Sequence, residues 1–555
     1  MTNVPFINKI TNELSKRKLK SDVVANAILD IAVGNDRLDN LIANGVTQSD
    51  LESLTIGGLT TEQTEALGKI EGLESSASEI DNSVNTYVNV LDFNSGAKTS
   101  SSINKAIEFA RANNIWTVYI PNGEYDLRFA KNADIPSFPV GQKVPSLWLS
   151  SNIRLLGESR KGVILKLSDT LTAESCSNIG SYSTENVVVE NLTIKGNKID
   201  DTFQIGEREG IDLKDCDGFM AIGVDFIDIE HEALDIDLSA SMRLSFNIEN
   251  KIKYLVIDCE FNNVGGTGVH NADWCIVKNS HFNTVANNRY AGFKLGKAGT
   301  EGQGAIDTFG HVSIYDNVTF KNCPRAVHRY GEFPFEGHTH IMRNCTVTEG
   351  SAQADKLKEI HMAKKYGEVY NTKLVSAFPK IECLLLDNTK VYASPIIPTN
   401  EYFEFFRVQN NCEFYGLSLW TQGELRGKKS FIKDSIVDKT GNTQAVGAVW
   451  FAGVGANGVT VDNNTIIQDG NYSACGVHDS VLQSGHCITN NTIVGGTHSI
   501  KVSGLSKVIG NTCSGSTSWG ITVEGNNNIV SLNTTTKATR DQGIGNVVVN
   551  NIQLP

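Results

Sequence analysis

The sequence predicts an all-β chain coiled as a right-handed parallel β-helix, with a short α-helical segment at its N-terminus. Three observations predict it. Glycine is abundant and proline scarce, 50 against 11 in 555 residues, which suits many tight turns between short strands. An Asp or Asn at a turn, followed by alternating apolar residues, recurs down the chain with the spacing of a solenoid. Hydrophobic residues at 40% and charged residues at 20% supply a sizeable core without disulfide or metal staples.

Residues 1–85 read as a helical segment. SDVVANAILDIAVGNDRLDNLIANG and TEQTEALGKIEGLESSASEIDN place apolar residues at helical spacings. Short amphipathic helices cannot bury such stripes alone, so the segment is expected to oligomerise or to attach the chain to a partner. Residues 86–130 change pattern. VLDFNSGAKTSSSINKAIEFARANNIWTVYIPNGEYDL reads as a strand, an amphipathic helix with Ile103, Ala106, Ile107 and Ala110 on one side, a second strand at Val118 to Ile120, and a Pro-Asn-Gly turn. Residues 131–445 are assigned to the main β-helix with loop insertions, and residues 446–555 to its C-terminal rungs.

The repeat is carried by VVVENLTI with Asn191, CIVKNSHF with Asn279, IYDNVTF with Asn317 and IMRNCTV with Asn344. LLLDNTKV with Asn388, VTVDNNTI with Asn464, CITNNTI with Asn491 and KVIGNTC with Asn511 continue it. Asn464 and Asn491 are 27 residues apart, and Asn491 and Asn511 are 20 apart. That is the length of one rung in a stack of strands spaced by about 4.8 Å. An asparagine at each turn tolerates left-handed geometry and can hydrogen-bond its stacked neighbours, so these asparagines are read as structural.

A second strand of the rung aligns by its own repeat, EREGIDLKD, EHEALDIDL, GGTGVHNAD, RYAGFKLGK and CPRAVHRYG, anchored on Ile211, Leu234, Val269, Phe293 and Val327. Side chains alternate along a strand, so the residues after the anchors form an outward ladder of Asp212, Asp235, His270, Lys294 and His328. Glu209 and Glu232, two residues before their anchors, and Asp237, two beyond Asp235, are assigned to the same face. Trp274 and Tyr330 add aromatic surface of the kind that stacks on pyranose rings. Asp212, Asp235, Asp237, Glu209 and Glu232 are the candidate catalytic carboxylates. His270, Trp274, Lys294, His328 and Tyr330 are the candidate substrate-binding residues.

Glycoside hydrolysis needs two carboxyls, about 5–5.5 Å apart for retention or about 6.5–9.5 Å for inversion. Adjacent rungs set Asp212 beside Asp235, and one strand sets Asp235 beside Asp237, near either separation. The competing reading is a solvated surface whose charges pair off. The Glu332, Glu336, His338 and His340 loop and the less regular stretch 350–445, with Tyr402, Glu404, Trp420 and Glu424, are weaker alternatives.

Composition excludes several classes. A formal net charge of −13 offers no positive field to attract nucleic acid. No apolar run reaches transmembrane length, and MTNVPFINKITNELSKRKLK lacks a signal-peptide core. Neither membrane insertion nor export by that route is expected; release of a phage particle by lysis would bring such a chain outside the cell. The 11 cysteines contain no CxxC pair and read as buried thiols. No GxSxG, P-loop or HExxH occurs, and neither a metal nor another cofactor is expected.

Asp92, Ala97, Ala106, Ile107, Ala110, Val118, Ile120, Pro121, Gly123 and Tyr125 match the opening motif of the pectate-lyase-like β-helix superfamily. With the helical N-terminus and the rungs, the plan from residue 90 onward resembles a phage tailspike depolymerase. That resemblance implies a homotrimer that recognises and cuts a capsular or other bacterial surface polysaccharide, carried on the virion through a phage tail or anchor protein at its N-terminus. It transfers no catalytic residue. Hydrolysis by paired carboxylates is the favoured chemistry. A lyase using His270, Lys294, His328 and Arg329, or a non-enzymatic adhesin, are the alternatives.

Overall fold

The computed structural model describes residues 87–128, 145–169, 176–197, 208–249, 251–285, 304–308, 311–323, 325–329, 339–348, 358–361, 367–376, 379–393, 402–405, 407–421, 424–425, 428–442, 446–451, 458–469, 472–477 and 485–555. The N-terminal helical segment expected over 1–85 lies outside them. The described residues are dominated by short parallel strands wound as a right-handed parallel β-helix, and they fall into two compact units. One runs up to Glu260 and includes Trp274–Ile276; the other holds Phe261–Asp273 and everything from Val277 onward. Among the described residues no helix is long and apolar enough to cross a membrane.

The first unit begins with the elements expected from its motif. Helix Ser100–Ala112 buries Ile103, Ala106, Ile107 and Ala110 completely against strands Tyr87–Asn89 and Thr117–Ile120. Each isoleucine so buried contributes about 1.5–3 kcal/mol, and the helix covers the end of the first rung. The turn at Pro121 leads into strand Gly123–Leu127, and the Tyr125 hydroxyl returns to the Pro121 carbonyl at 2.9 Å. Parallel pairing then aligns Val88, Val118, Leu155, Val189, Ala221 and Val256 in one inward column. Opposite it, Leu147–Trp148, Cys176–Tyr182, Arg208–Lys214 and Leu234–Asp237 form a second parallel sheet.

The second unit continues the same plan with longer columns. Tyr315, Met342, Val369, Leu386, Val408, Ile432, Val461, Ile488, Val508 and Val530 stack rung upon rung, and all are buried. Phe261, Phe282 and Phe320 stack beside them with centroids 4.3 and 5.2 Å apart.

The asparagines divide into two populations. Asn191, Asn279, Asn317, Asn344 and Asn388 have φ between 45° and 57°, the left-handed turn geometry asparagine tolerates. In the later rungs Asn463 and Asn490 take that conformation, and the residue after each points inward. Asn464, Asn491, Asn511, Asn533 and Asn551 donate side chain to side chain in sequence, each step 2.9 Å. Each also accepts the backbone N–H of its predecessor at 2.9–3.0 Å. Every buried amide of the turn is satisfied by the next rung, so the ladder enforces register.

Candidate active site

The second sheet of the first unit brings the predicted carboxylates together. Leu234 pairs with Ile211, and Asp235 pairs with Asp212, the register read from the sequence. Gly180 stands beside Asp212 on the preceding strand, and Trp148 beside Gly180. One carboxylate oxygen from each of Glu209, Asp212 and Asp235 lies within 4.8 Å of the other two. Glu209 and Asp212 are 4% and 1% exposed, and Asp235 is intermediate. A plain solvated face therefore does not describe this sheet. Asp235 is where solvent meets the cluster.

Strict alternation puts Glu209 on the inward side with Ile211 and Glu232 with Leu234, so their assignment to the ladder face does not follow from alternation. The chain departs from alternation in two places. A Cβ at Gly210 would sit 3.2 Å from the buried Phe226 ring and 2.4 Å from the Ala233 carbonyl oxygen, so residues 210 and 211 both face the core. Ala233 and Leu234 are likewise both fully buried. The groups flanking Glu209 bond to two successive residues: the Arg208 carbonyl accepts from His231 N–H at 3.0 Å, and Gly210 N–H donates to the Glu232 carbonyl at 2.9 Å. Two residues thus oppose one, a β-bulge, a feature over-represented beside active sites because it re-aims side chains. It brings His231 and Glu232 to Glu209, with His231 Nδ1 in contact with Glu232 Oε2 and 3.9 Å from Glu209 Oε1.

Residues that were not anticipated complete the surroundings. The Tyr182 hydroxyl donates to Asp212 Oδ2 at 2.8 Å, and Lys214 Nζ lies 3.9 Å from the same oxygen and 5.4 Å from the Tyr182 ring centroid. Burial first, then the Asp212 carboxylate, pushes the Tyr182 phenol well above its ordinary value, so it stays a hydrogen-bond donor. Trp148 meets the Tyr182 ring edge-on at 5.1 Å. Buried Arg208 binds Glu230 at 2.7 Å and Asn197 at 3.1 Å. Glu230 and Asp228 read in IDIEHEALDID as acidic density in a turn, but nothing in the sequence marked the bulge that brings His231 to Glu209. Asp237 is exposed at the strand end, level with Lys214, and is not among the clustered carboxylates.

The substrate-binding set needs correction. Trp274 is fully buried and packs edge-on to Phe246 at 5.4 Å, so its ring offers no face to a sugar. In the second unit the strand between the anchors Val269 and Val327 is Ile306–Thr308. Asp307 therefore takes the rung position assigned to Lys294; Ala305–Asp307 repeats the Gly-Ile-Asp pattern of Gly210–Asp212, the signal in the sequence that marks this rung. Lys294 and Tyr330 lie outside the described residues, as do Glu332, Glu336 and His338. His328 is buried, with Nδ1 3.3 Å from Asp307 Oδ1. Asp307 also accepts from the Thr267 hydroxyl and the Gly304 N–H, each at 2.8 Å. His328 is thus held inside a polar network, not presented to a substrate. His270 is half-buried, and buried His340 faces the Tyr315 hydroxyl at 3.3 Å. In the 350–445 stretch, Trp420 stacks on Trp450 with centroids 5.9 Å apart.

No family model matches the chain, and no curated protein does. Among solved structures it is similar to the pre-mature gene product 12 of bacteriophage phi29, with a TM-score of 0.42 and 13% identity over 86% of this chain and 75% of that one. A mutant tailspike protein of E. coli bacteriophage HK620 in complex with a hexasaccharide has a TM-score of 0.39 and 11% identity, covering 84% of this chain and 79% of that one. The A-module of an Azotobacter vinelandii mannuronan C-5 epimerase has a TM-score of 0.26 and 14% identity, covering 84% and 99%. Fold likeness at this level does not carry chemistry from one chain to another, so the chemistry of this chain rests on its own residues.

Proposed function

We propose that this chain is a phage-borne depolymerase of a bacterial surface polysaccharide, working as a glycoside hydrolase with Asp212 and Asp235 as its carboxylate pair. The observation that carries the reading is the meeting of Glu209, Asp212 and Asp235 within 4.8 Å on adjacent rungs. Tyr182 donates to Asp212 Oδ2 at 2.8 Å and Lys214 Nζ lies 3.9 Å from the same oxygen, contacts that hold Asp212 in place beside Asp235. Hydrolysis by this pair needs one member to deliver a proton to the leaving oxygen. Asp235, the member open to solvent, is the contact point with the glycan. The close approach fits the shorter, retaining separation of about 5–5.5 Å. Residues 1–85 would attach the chain to the phage tail or an anchor protein, and a homotrimer would be the working assembly.

The test is incubation with a panel of capsular polysaccharides, following chain length and near-ultraviolet absorbance together. Shortening without new absorbance, with retention of anomeric configuration by NMR, is expected. Asp212→Asn and Asp235→Asn should each lower the rate by about 10²–10⁴-fold, the usual worth of a positioned acid or base. Absorbance from an unsaturated sugar would replace the hydrolase by a lyase. Binding without shortening would leave an adhesin.

A further inference from the structure

In the later rungs of the second unit a second polar column runs through the core. Strands Thr460–Asp462, Cys487–Thr489, Lys507–Ile509, Ile529–Ser531 and Val547–Val549 pair in register. One residue before each stand Val459, His486, Ser506, Asn528 and Asn546, the first four of them buried. From Ser506 onward the column is a hydrogen-bonded ladder: Ser506 N–H donates to Asn528 Oδ1 and Asn528 N–H to Asn546 Oδ1, each at 2.8 Å. The Ser506 hydroxyl is turned away, to the Ser503 carbonyl at 3.0 Å, so the ladder stops one rung short of His486. The backbone still holds that rung, with Cys487 N–H on the Val459 carbonyl at 2.9 Å and Lys507 N–H on the His486 carbonyl at 2.8 Å. The ring stacks on buried Phe451 with centroids 4.6 Å apart, and among the described residues neither of its nitrogens has a hydrogen-bond partner.

We propose that the coil through His486 is an acid-sensitive latch, closed while the imidazole is neutral and opened when it takes a proton, which frees strand Cys487–Thr489 from its neighbours Thr460–Asp462 and Lys507–Ile509. An imidazolium carries an N–H donor on both nitrogens, and a buried charge without a partner is unstable, so the charged ring is stable only where water reaches it. Asp462, Cys487 and Lys507 on the flanking strands are half-buried or exposed, and Cys475, on the strand paired with Val449–Phe451, is a buried thiol raised by burial. None of them moves His486; burial alone lowers it, to about 4. The opened coil binds the proton near the ordinary value of about 6.5, so closure loses stability as pH falls from about 6.5 toward 4. At pH 5 the opened fraction is therefore roughly 30-fold larger than at neutral pH. That window lies above the carboxylate range, and the latch does not depend on the depolymerase reading, since no glycan enters its test.

The experiment is amide hydrogen exchange of the full-length chain at neutral pH and at about pH 5, read by mass spectrometry and corrected for the intrinsic exchange rate. Peptides covering Cys487–Thr489 and Lys507–Ile509 should lose roughly 30-fold in protection at the lower pH, while the peptide covering Arg208–Lys214 should not. His486→Asn, which carries the polar column one rung further, and His486→Phe should each abolish the loss. Exchange of the imidazole C2 proton, followed by mass spectrometry against pH in the wild-type chain, titrates His486 without relying on variants that fail to fold; a midpoint well below 6.5 is expected. The proposal is overturned if the wild-type coil keeps its protection at pH 5, if the loss persists in both variants, or if His486 titrates at its ordinary value.

Discussion

At the scale of the residue, burial decides more than identity does. Asp273, fully buried in the second unit, accepts from His311 Nδ1 at 2.7 Å, from the His311 backbone N–H at 3.3 Å and from the Thr308 hydroxyl. Burial alone would raise its carboxyl, but the His311 and Thr308 contacts outweigh it and hold Asp273 below its ordinary value. A group depressed on folding contributes stability that is fully present above its unfolded value of about 3.9 and is lost as pH falls through the folded one. Urea midpoints measured from pH 6 downward should therefore fall below about pH 4. Asp273→Asn should lower the neutral midpoint by the equivalent of about 3 kcal/mol and flatten that acid decline. An unchanged acid limb in the variant would show that other carboxylates govern it. Asp307 is surrounded in a similar way by His328, Thr267 and Gly304, which is why His328, read as ladder surface, serves as an interior polar anchor.

The element that matters most is the pair of strands Arg208–Lys214 and Leu234–Asp237. The geometry of its carboxylate cluster rests on Gly210, whose missing side chain lets the Ala233 carbonyl approach and turns Glu209 outward. Gly210→Ala should cost about 1–3 kcal/mol by overpacking, because the new carbon would meet the Ala233 carbonyl oxygen at 2.4 Å. It should also displace Glu209, so that the proposed depolymerase activity falls. A variant that unfolds earlier yet keeps that activity would show that the bulge is not what positions Glu209. The pairing of Asp212 with Asp235 was legible, because Gly-Ile-Asp and Ala-Leu-Asp mark equal positions on neighbouring rungs. The bulge was not, because a local slip in alternation leaves the same letters in the same order.

For the whole molecule, each coil packs mainly on its neighbours, so stability accumulates rung by rung. The cysteines follow that logic. Ten of the 11 are buried, among them Cys259 and Cys345, and none is disulfide-bonded. Burial raises the thiols of Cys259 and Cys345 to about 12, so neither supplies thiolate at neutral pH. Alkylation of the native chain followed by mass spectrometry should modify only Cys487, which is partly exposed; denaturation should expose all 11. Rapid native modification at Cys259 or Cys345 would contradict rungs packed this closely.

The sequence alone determined the coiled all-β architecture, the helix that covers its first rung, the recurring turns and the register of Ile211 with Leu234. These depend on periodicity and local conformational preference, which are properties of consecutive residues. Only the tertiary structure decided which ladder members are buried, that Asp307 occupies the rung expected for Lys294, that Trp274 belongs to the core, and that His231 and Tyr182 join the carboxylates. Those outcomes depend on which rung lies beside which and on where alternation slips, and both are set by contacts between segments far apart in the chain.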